Sequence, residues 1–267
     1  MSVASAAGDG FVVAKRNLIK IKRVPDLLVF TTLQPIMFVL LFVYVFGGAI
    51  AVQGTTYKNF LIAGIFAQTV VFGSVITGAG LAEDIQKGII DRFRSLPMSP
   101  SAVLFGRTLS DVVNNIIVVI VMSLTGLAVG WRITSSFWAA AGGYLILLVF
   151  AYAFSWVMAM VGLMAPSPEV VNNAAFIVIF PLTFVANTFV PISTLAEGPL
   201  RTFAEWNPVS AVTEAARQLF GNIPPGTPAP DSWALQHPAT YTLLWSLAIL
   251  VIFVPLSTRQ FRRSVSR

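Results

Sequence analysis

Six apolar stretches, at 27–50, 59–82, 103–130, 137–164, 173–190 and 239–257, each have the length needed to cross a bilayer. A hydrocarbon core about 30 Å thick takes roughly 20 apolar residues wound as a helix. Inside that layer every backbone N–H and C=O must be satisfied within the protein, which leaves helices and closed barrels as the spanning structures. Barrel strands alternate apolar and polar positions over about ten residues, whereas these runs are continuous. The sequence therefore predicts an all-α integral membrane protein with six transmembrane helices. Composition agrees, with 56% hydrophobic and 10% charged residues against about 25% charged in ordinary soluble domains.

The charges that remain are placed unevenly. Lys15, Arg16, Lys20, Lys22 and Arg23 precede the first run; Lys87, Arg92, Arg94 and Arg107 surround the second connection; Arg259, Arg262, Arg263 and Arg267 follow the last run. Lys58, Arg132, Arg201 and Arg217 fall on the opposite side, so thirteen of the 17 basic residues share one side. Basic connections stay on the cytoplasmic face, so both termini are expected there, in a multi-pass protein of the plasma membrane. The net charge of +6 flanks apolar runs and forms no stripe on a soluble domain, which points to membrane lipids and away from nucleic acid. The basic start and the long first run do not resemble a secretory signal, and the segment is expected to stay attached. Residues 11–28 interleave bases with Phe11, Val12, Leu18, Ile19 and Val24. They read either as an interfacial helix on the inner leaflet or as a solvated basic tail.

Residues 1–267 read as one permease-like domain: a cytoplasmic or interfacial segment over 1–26, the spans over 27–257 and a cytoplasmic tail over 258–267. No internal repeat or soluble domain stands out. The longest connection, 191–238, is expected outside. Within it 200–220 reads as short helices at the outer interface interrupted at Pro208, and the proline-rich 224–230 reads as irregular loop.

Several chemistries lack their residues. There is no cysteine, hence no thiolate or cysteine metal site. His237 stands alone apart from Asp231, so no metal is expected. Gly73 and Gly78 have the spacing of a phosphate loop, but Ala79 and Gly80 replace its Lys and Ser/Thr. No cofactor and no catalysis are expected in this chain.

Three features invite function. Between the second and third runs, Glu83, Asp84, Lys87, Asp91, Arg92 and Arg94 alternate in sign while Ile85, Ile89, Ile90, Phe93 and Leu96 recur at near-helical spacing, before Pro97 and Pro100. This describes a short amphipathic cytoplasmic helix, either a charged loop that fixes topology or a docking helix with apolar anchors. Arg107 and Asp111, four apart, continue along one helical face with Asn114, Asn115 and Val118. They form either an ion pair at the membrane edge or a polar seam along a translocation path, and both readings point inward. Gln34–Pro35 and Pro181 interrupt spans, as hinges or as static kinks.

The blocks EDIQKGIIDRFRSLPMSPSAVLFGRTLSD, FPLTFVANTFVPISTL and FAEWNPVSAVTEAARQLFG, in that order between these runs, resemble the permease subunits of type-two ABC exporters, closest to the daunorubicin-resistance branch of multidrug efflux permeases. The resemblance implies a cytoplasmic coupling helix between the second and third spans and short outer helices before the sixth. It carries a coupling motif onto Glu83, Gly88, Asp91, Arg92, Arg94, Leu96 and Pro97, beside which Asp84, Lys87 and Phe93 complete the expected ATPase-coupling site. An outer motif falls on Asn207 and Pro208. Ala186, Asn187 and Thr188 stand where that branch commonly has Ser-Gly-Ala. The expected partners are a pair of ABC ATPase subunits, which would hold ATP and Mg, and a second copy of the permease or a related one. The substrate, a lipophilic drug, lipid or lipid-linked glycan, is not specified by these motifs. Two other classes were weighed: a lipid-modifying membrane enzyme would need a polar or metal cluster near one interface, and an ion-coupled transporter would show midplane carboxylates or an inverted repeat.

Overall fold

The structure, a computed structural model, describes residues 25–50, 52, 54–89, 100–223, 226, 227 and 230–265. Among them every regular element is helical. Most of the interfacial segment 11–28 and of the connection 90–99 lies outside the described residues.

Helix α1 (Pro25–Leu41) passes directly into a π-helical turn, Phe42–Phe46. Helices α2 (Tyr57–Gly73) and α3 (Val75–Gln86) form the second apolar run, which is not the unbroken helix expected. The break falls at Ser74, whose N–H and hydroxyl both donate to the Val71 carbonyl, tightening the turn there. Helices α4 (Pro100–Ala128) and α5 (Phe137–Met164) follow, then α6 (Pro168–Phe184), α7 (Pro199–Trp206), α8 (Pro208–Phe220), the single turn α9 (Trp233–Gln236) and α10 (Pro238–Val265). Among the described residues four helical stretches have the length and apolarity to cross a membrane: Tyr57–Gln86, Leu104–Ala128, Phe137–Met164 and Pro238–Arg263. Thr32–Phe46 and Pro168–Phe184 are apolar but shorter.

Helix α5 is the hub and packs against α3, α4, α8 and α10. Its crossing with α3 is as close as backbones allow. A Cβ on Gly162 would lie 2.2 Å from the Gly78 carbonyl oxygen, and one on Gly78 would lie 2.5 Å from that of Met158. Between helices in lipid, where no hydrophobic drive operates, such small-residue contacts supply the packing. Helix α4 shows the polarity of a lipid-facing helix. Phe105, Leu109, Ile116, Ile120 and Leu124 are exposed, while Thr108, Asp111, Asn115 and Met122 are buried.

Two expectations are corrected. The fifth run was expected to be helical over 173–190, but α6 begins at Pro168 and ends at Phe184. Pro181 lacks an N–H and its ring crowds the carbonyl one turn back, so the helix stops within a turn and 185–190 leaves it. Helices α7 and α8 do break at Asn207–Pro208 as expected, with Asn207 Oδ1 accepting from the Val209 N–H at 2.8 Å. However, α8 is not interfacial. Val209, Ala211, Val212, Ala215, Ala216 and Phe220 are wholly buried, and so is Arg217. The charges on α8 suggested a wet surface, but Glu214 and Arg217 turn inward and pair with each other at 3.3 Å.

Candidate functional site

A cavity of about 700 Å³ lies among α1, α2, α3, α4 and the start of α6. Gln34, Pro35 and Phe38 form one wall; Ile65, Gln68, Thr69, Phe72, Val75, Ile76 and Ala79 form a second along α2 and α3. Helix α4 contributes Arg107, Ser110, Asp111, Asn114, Asn115 and Val118, and Glu169 and Asn172 come from α6. Glu83, Gln86 and Lys87 also line it, where α3 runs out toward the connection that carries the amphipathic motif. The four seam residues expected from sequence, Arg107, Asp111, Asn114 and Asn115, are thus brought together in one cavity wall.

The partner expected for Arg107 is not the one it takes. Its Nη1 faces Asp84 Oδ2 at 3.8 Å across the interhelical gap, not Asp111 one turn along its own helix. The reason is Gly80. A Cβ there would fall 1.5 Å from Arg107 Nη2, so the guanidinium lies in the space that glycine leaves, and Nη2 donates to the Ile76 carbonyl at 3.1 Å. Asp111 is buried, and its Oδ2 has no hydrogen-bond partner. A buried carboxylate oxygen without a donor is costly, which makes Asp111 the chemically open group of this wall. Asn115 packs on another glycine, since a Cβ on Gly73 would meet its Oδ1 at 2.8 Å.

At the mouth, Lys87 Nζ donates to Glu83 Oε1 at 2.5 Å, and that hydrogen bond raises the Lys87 pKa. Gly88 follows in the left-handed conformation with φ +64°, turning the chain out of α3. Of the expected coupling residues, Glu83, Asp84, Lys87 and Gly88 are therefore placed. Glu83 and Lys87 line the cavity, whereas Asp84 is buried against Arg107. Asp91, Arg92, Phe93, Arg94, Leu96 and Pro97 lie outside the described residues. Asn207 and Pro208 are remote from the cavity lining; Asn207 Nδ2 donates to the Leu182 carbonyl at 2.7 Å and ties the start of α8 to the end of α6. Among the described residues no three His, Asp or Glu side chains converge as a metal site.

Sequence reading missed Gln68 and Thr69 as wall residues, although a signal was present. Gln68 is the lone amide within the run 60–82, and a buried amide there calls for a polar neighbour.

The chain matches the family model for the ABC-2 type transporter over residues 10–220. It is 34% identical over 247 residues to the daunorubicin resistance ABC transporter permease protein DrrB1 of Streptomyces coeruleorubidus, covering 92% of this chain and 83% of that protein. It is 24% identical over 253 residues to the transport permease ycf38 of Cyanophora paradoxa, covering 91% of this chain and 84% of the relative. This all-helical chain, with its membrane-length apolar helices and a polar-walled cavity between them, belongs to the ABC-2 type transporter family and is similar to a permease of an ABC transporter throughout most of its length.

Proposed function

We propose that the chain is the permease subunit of an ATP-driven exporter that moves a lipophilic small molecule out across the plasma membrane through the cavity between α1, α2, α3, α4 and α6. The observation that carries this reading is the cavity itself: an apolar wall of Phe38, Ile65, Phe72, Val75 and Ile76 facing Asp111, Asn114, Asn115 and Gln68. At about 700 Å³ it matches the 300–1,000 Å³ or so typical of sites for drug-sized ligands, which favours a drug over a lipid-linked glycan. Six spans are proposed, with α1 and its π turn first, α2–α3 second, α4, α5 and α6 next and α10 last. Both termini then lie in the cytoplasm, and 1–267 is a single permease domain. ABC ATPase subunits holding ATP and Mg would dock on the coupling segment, Glu83 through Pro97, and a second permease copy or related permease would complete the complex.

The test is transport. Co-expressed with an ATPase encoded beside it, the chain should lower cellular accumulation of daunorubicin, the drug in the relative's name. Filling the cavity with Asn114→Trp should abolish that efflux while leaving the complex assembled. Undiminished efflux by this variant would move the pathway elsewhere; no efflux of any lipophilic drug by the assembled wild-type complex would remove the export reading.

A further inference from the structure

The cavity is shut on one side by a strap, residues 185–190, that follows the early end of α6. Two helices give the same order of features. Along α2, Phe60 and Gly64 touch the strap, while Ile65, Gln68, Thr69 and Phe72 line the cavity. Along α1, Gln34 and Pro35 line the cavity, Phe38 belongs to both zones, and Phe42 stacks on Phe189 of the strap at 4.5 Å between ring centroids. Phe184 lies 4.8 Å from Phe189, so rings from α1, α6 and the strap close the cavity away from the Glu83–Lys87 mouth.

One side chain holds the strap in place. Arg217 of α8 is 2% exposed, and Nη2 donates to the carbonyls of Asn187 at 2.6 Å and Thr188 at 3.4 Å. Its Nε donates to the Phe60 carbonyl at 2.8 Å, and its guanidinium lies 3.6 Å over the Phe60 ring. A planar fork that reaches backbone from two elements at once is a task lysine cannot perform. Glu214 Oε2 supplies the counter-charge and also accepts from Asn187 Nδ2 at 2.9 Å. Against these ties, Asn187 Oδ1 and Thr188 Oγ1 are buried without hydrogen-bond partners. Such open groups offset part of what the latch gains, so the closed strap is not fully satisfied and a second position is accessible. Gly64 gives the strap its seat, because a Cβ there would fall 2.2 Å from the Thr188 carbonyl oxygen.

We infer that residues 185–190 form the outer gate of the cavity and that Arg217 is the positioning residue that latches it, so that release of the Asn187 and Thr188 carbonyls opens the cavity to the cell exterior. The inference rests on the export reading above for its direction.

The chain has no cysteine, so a single Thr69→Cys can report access to the cavity. Its labelling by an impermeant thiosulfonate is measured in intact cells and in inverted vesicles. In the latched protein, labelling should be slow from the exterior. Arg217→Lys, and separately Gly64→Ala, should raise the exterior rate about tenfold, the scale of losing one charge-assisted hydrogen bond, while the vesicle rate stays within about twofold. If thermal unfolding shifts but exterior labelling does not, Arg217 is only a structural tie and the gate is wrong. Should Arg217→Lys fail to reach the membrane, Gly64→Ala decides alone, because it displaces the strap without touching the guanidinium. A wild-type cysteine labelled faster from the exterior would instead reverse the orientation in the export reading, and the latch would then be judged by the vesicle rates.

Discussion

Arg107 shows how a residue can be singled out correctly and still be given the wrong partner. Spacing of four on one helix favours Arg107 with Asp111, but the guanidinium crosses to Asp84 because Gly80 leaves room for it. Sequence spacing reports neighbours within a helix and is blind to a hollow on the next one. Both members of the pair are largely buried, with side chains 11% and 9% exposed, so breaking it strands a charge at a cost of roughly 3 kcal/mol. Gly80→Ala should expel the guanidinium and cost about 1–3 kcal/mol through overpacking. Because both changes break one contact, Gly80→Ala combined with Arg107→Gln should fall short of the sum of the singles by roughly 1 kcal/mol or more. Unfolding midpoints of the purified variants in one detergent measure this cycle, and strict additivity would mean that the guanidinium does not depend on the glycine seat.

At the scale of elements, the apolar runs were plain because lipid demands continuous apolar helix, and α4 and α5 appear close to where the runs placed them. Helix ends were less legible. Prolines at 35 and 181 look alike in sequence, yet α1 continues past Pro35 while α6 stops soon after Pro181. The difference comes from what surrounds the freed backbone: Arg217 and Asn207 receive the carbonyls of 182, 187 and 188, and neither residue adjoins them in sequence. Helix α8 misled for the related reason that charge in an amphipathic pattern reads as exposure. The element with the most direct link to partners is the motif between α3 and α4. Its Phe93 and Arg94 offer an apolar anchor and a charge, and truncating an interface anchor can cost about 2 kcal/mol or more. The double variant Phe93→Ala/Arg94→Glu should reach the membrane normally yet lose most copurifying ATPase, whereas Arg201→Glu in α7 should retain it. Equal ATPase recovery and equal transport for the double variant would return the segment to a topology-setting loop.

For the whole molecule the open question is how many helices cross. Four stretches do so by length and composition, and the other two are marginal for different reasons. The helical stretch from Pro25 to Phe46 covers about 33 Å at 1.5 Å per residue, which suffices. The 17 residues of α6 reach only about 25 Å, short of a core near 30 Å, and the strap that follows would complete the crossing inside the protein, where irregular backbone is tolerated. Six spans and four make opposite predictions. If the 87–99 connection is cytoplasmic, six spans put Thr227 outside and Ser264 inside. Removing α1 and α6 as spans puts Thr227 inside and Ser264 outside, leaving the basic residues before α1 and after α10 on the exterior against the usual bias. Ser135, between α4 and α5, lies outside in both cases and serves as a control. Single cysteines at these positions in the cysteine-free chain, probed with an impermeant thiol reagent on intact cells, should label at 135 and 227 and stay unlabelled at 264 until the cells are opened. Labelling at 135 and 264 but not 227 would establish four spans, and it would also take the strap and Arg217 off the outer face.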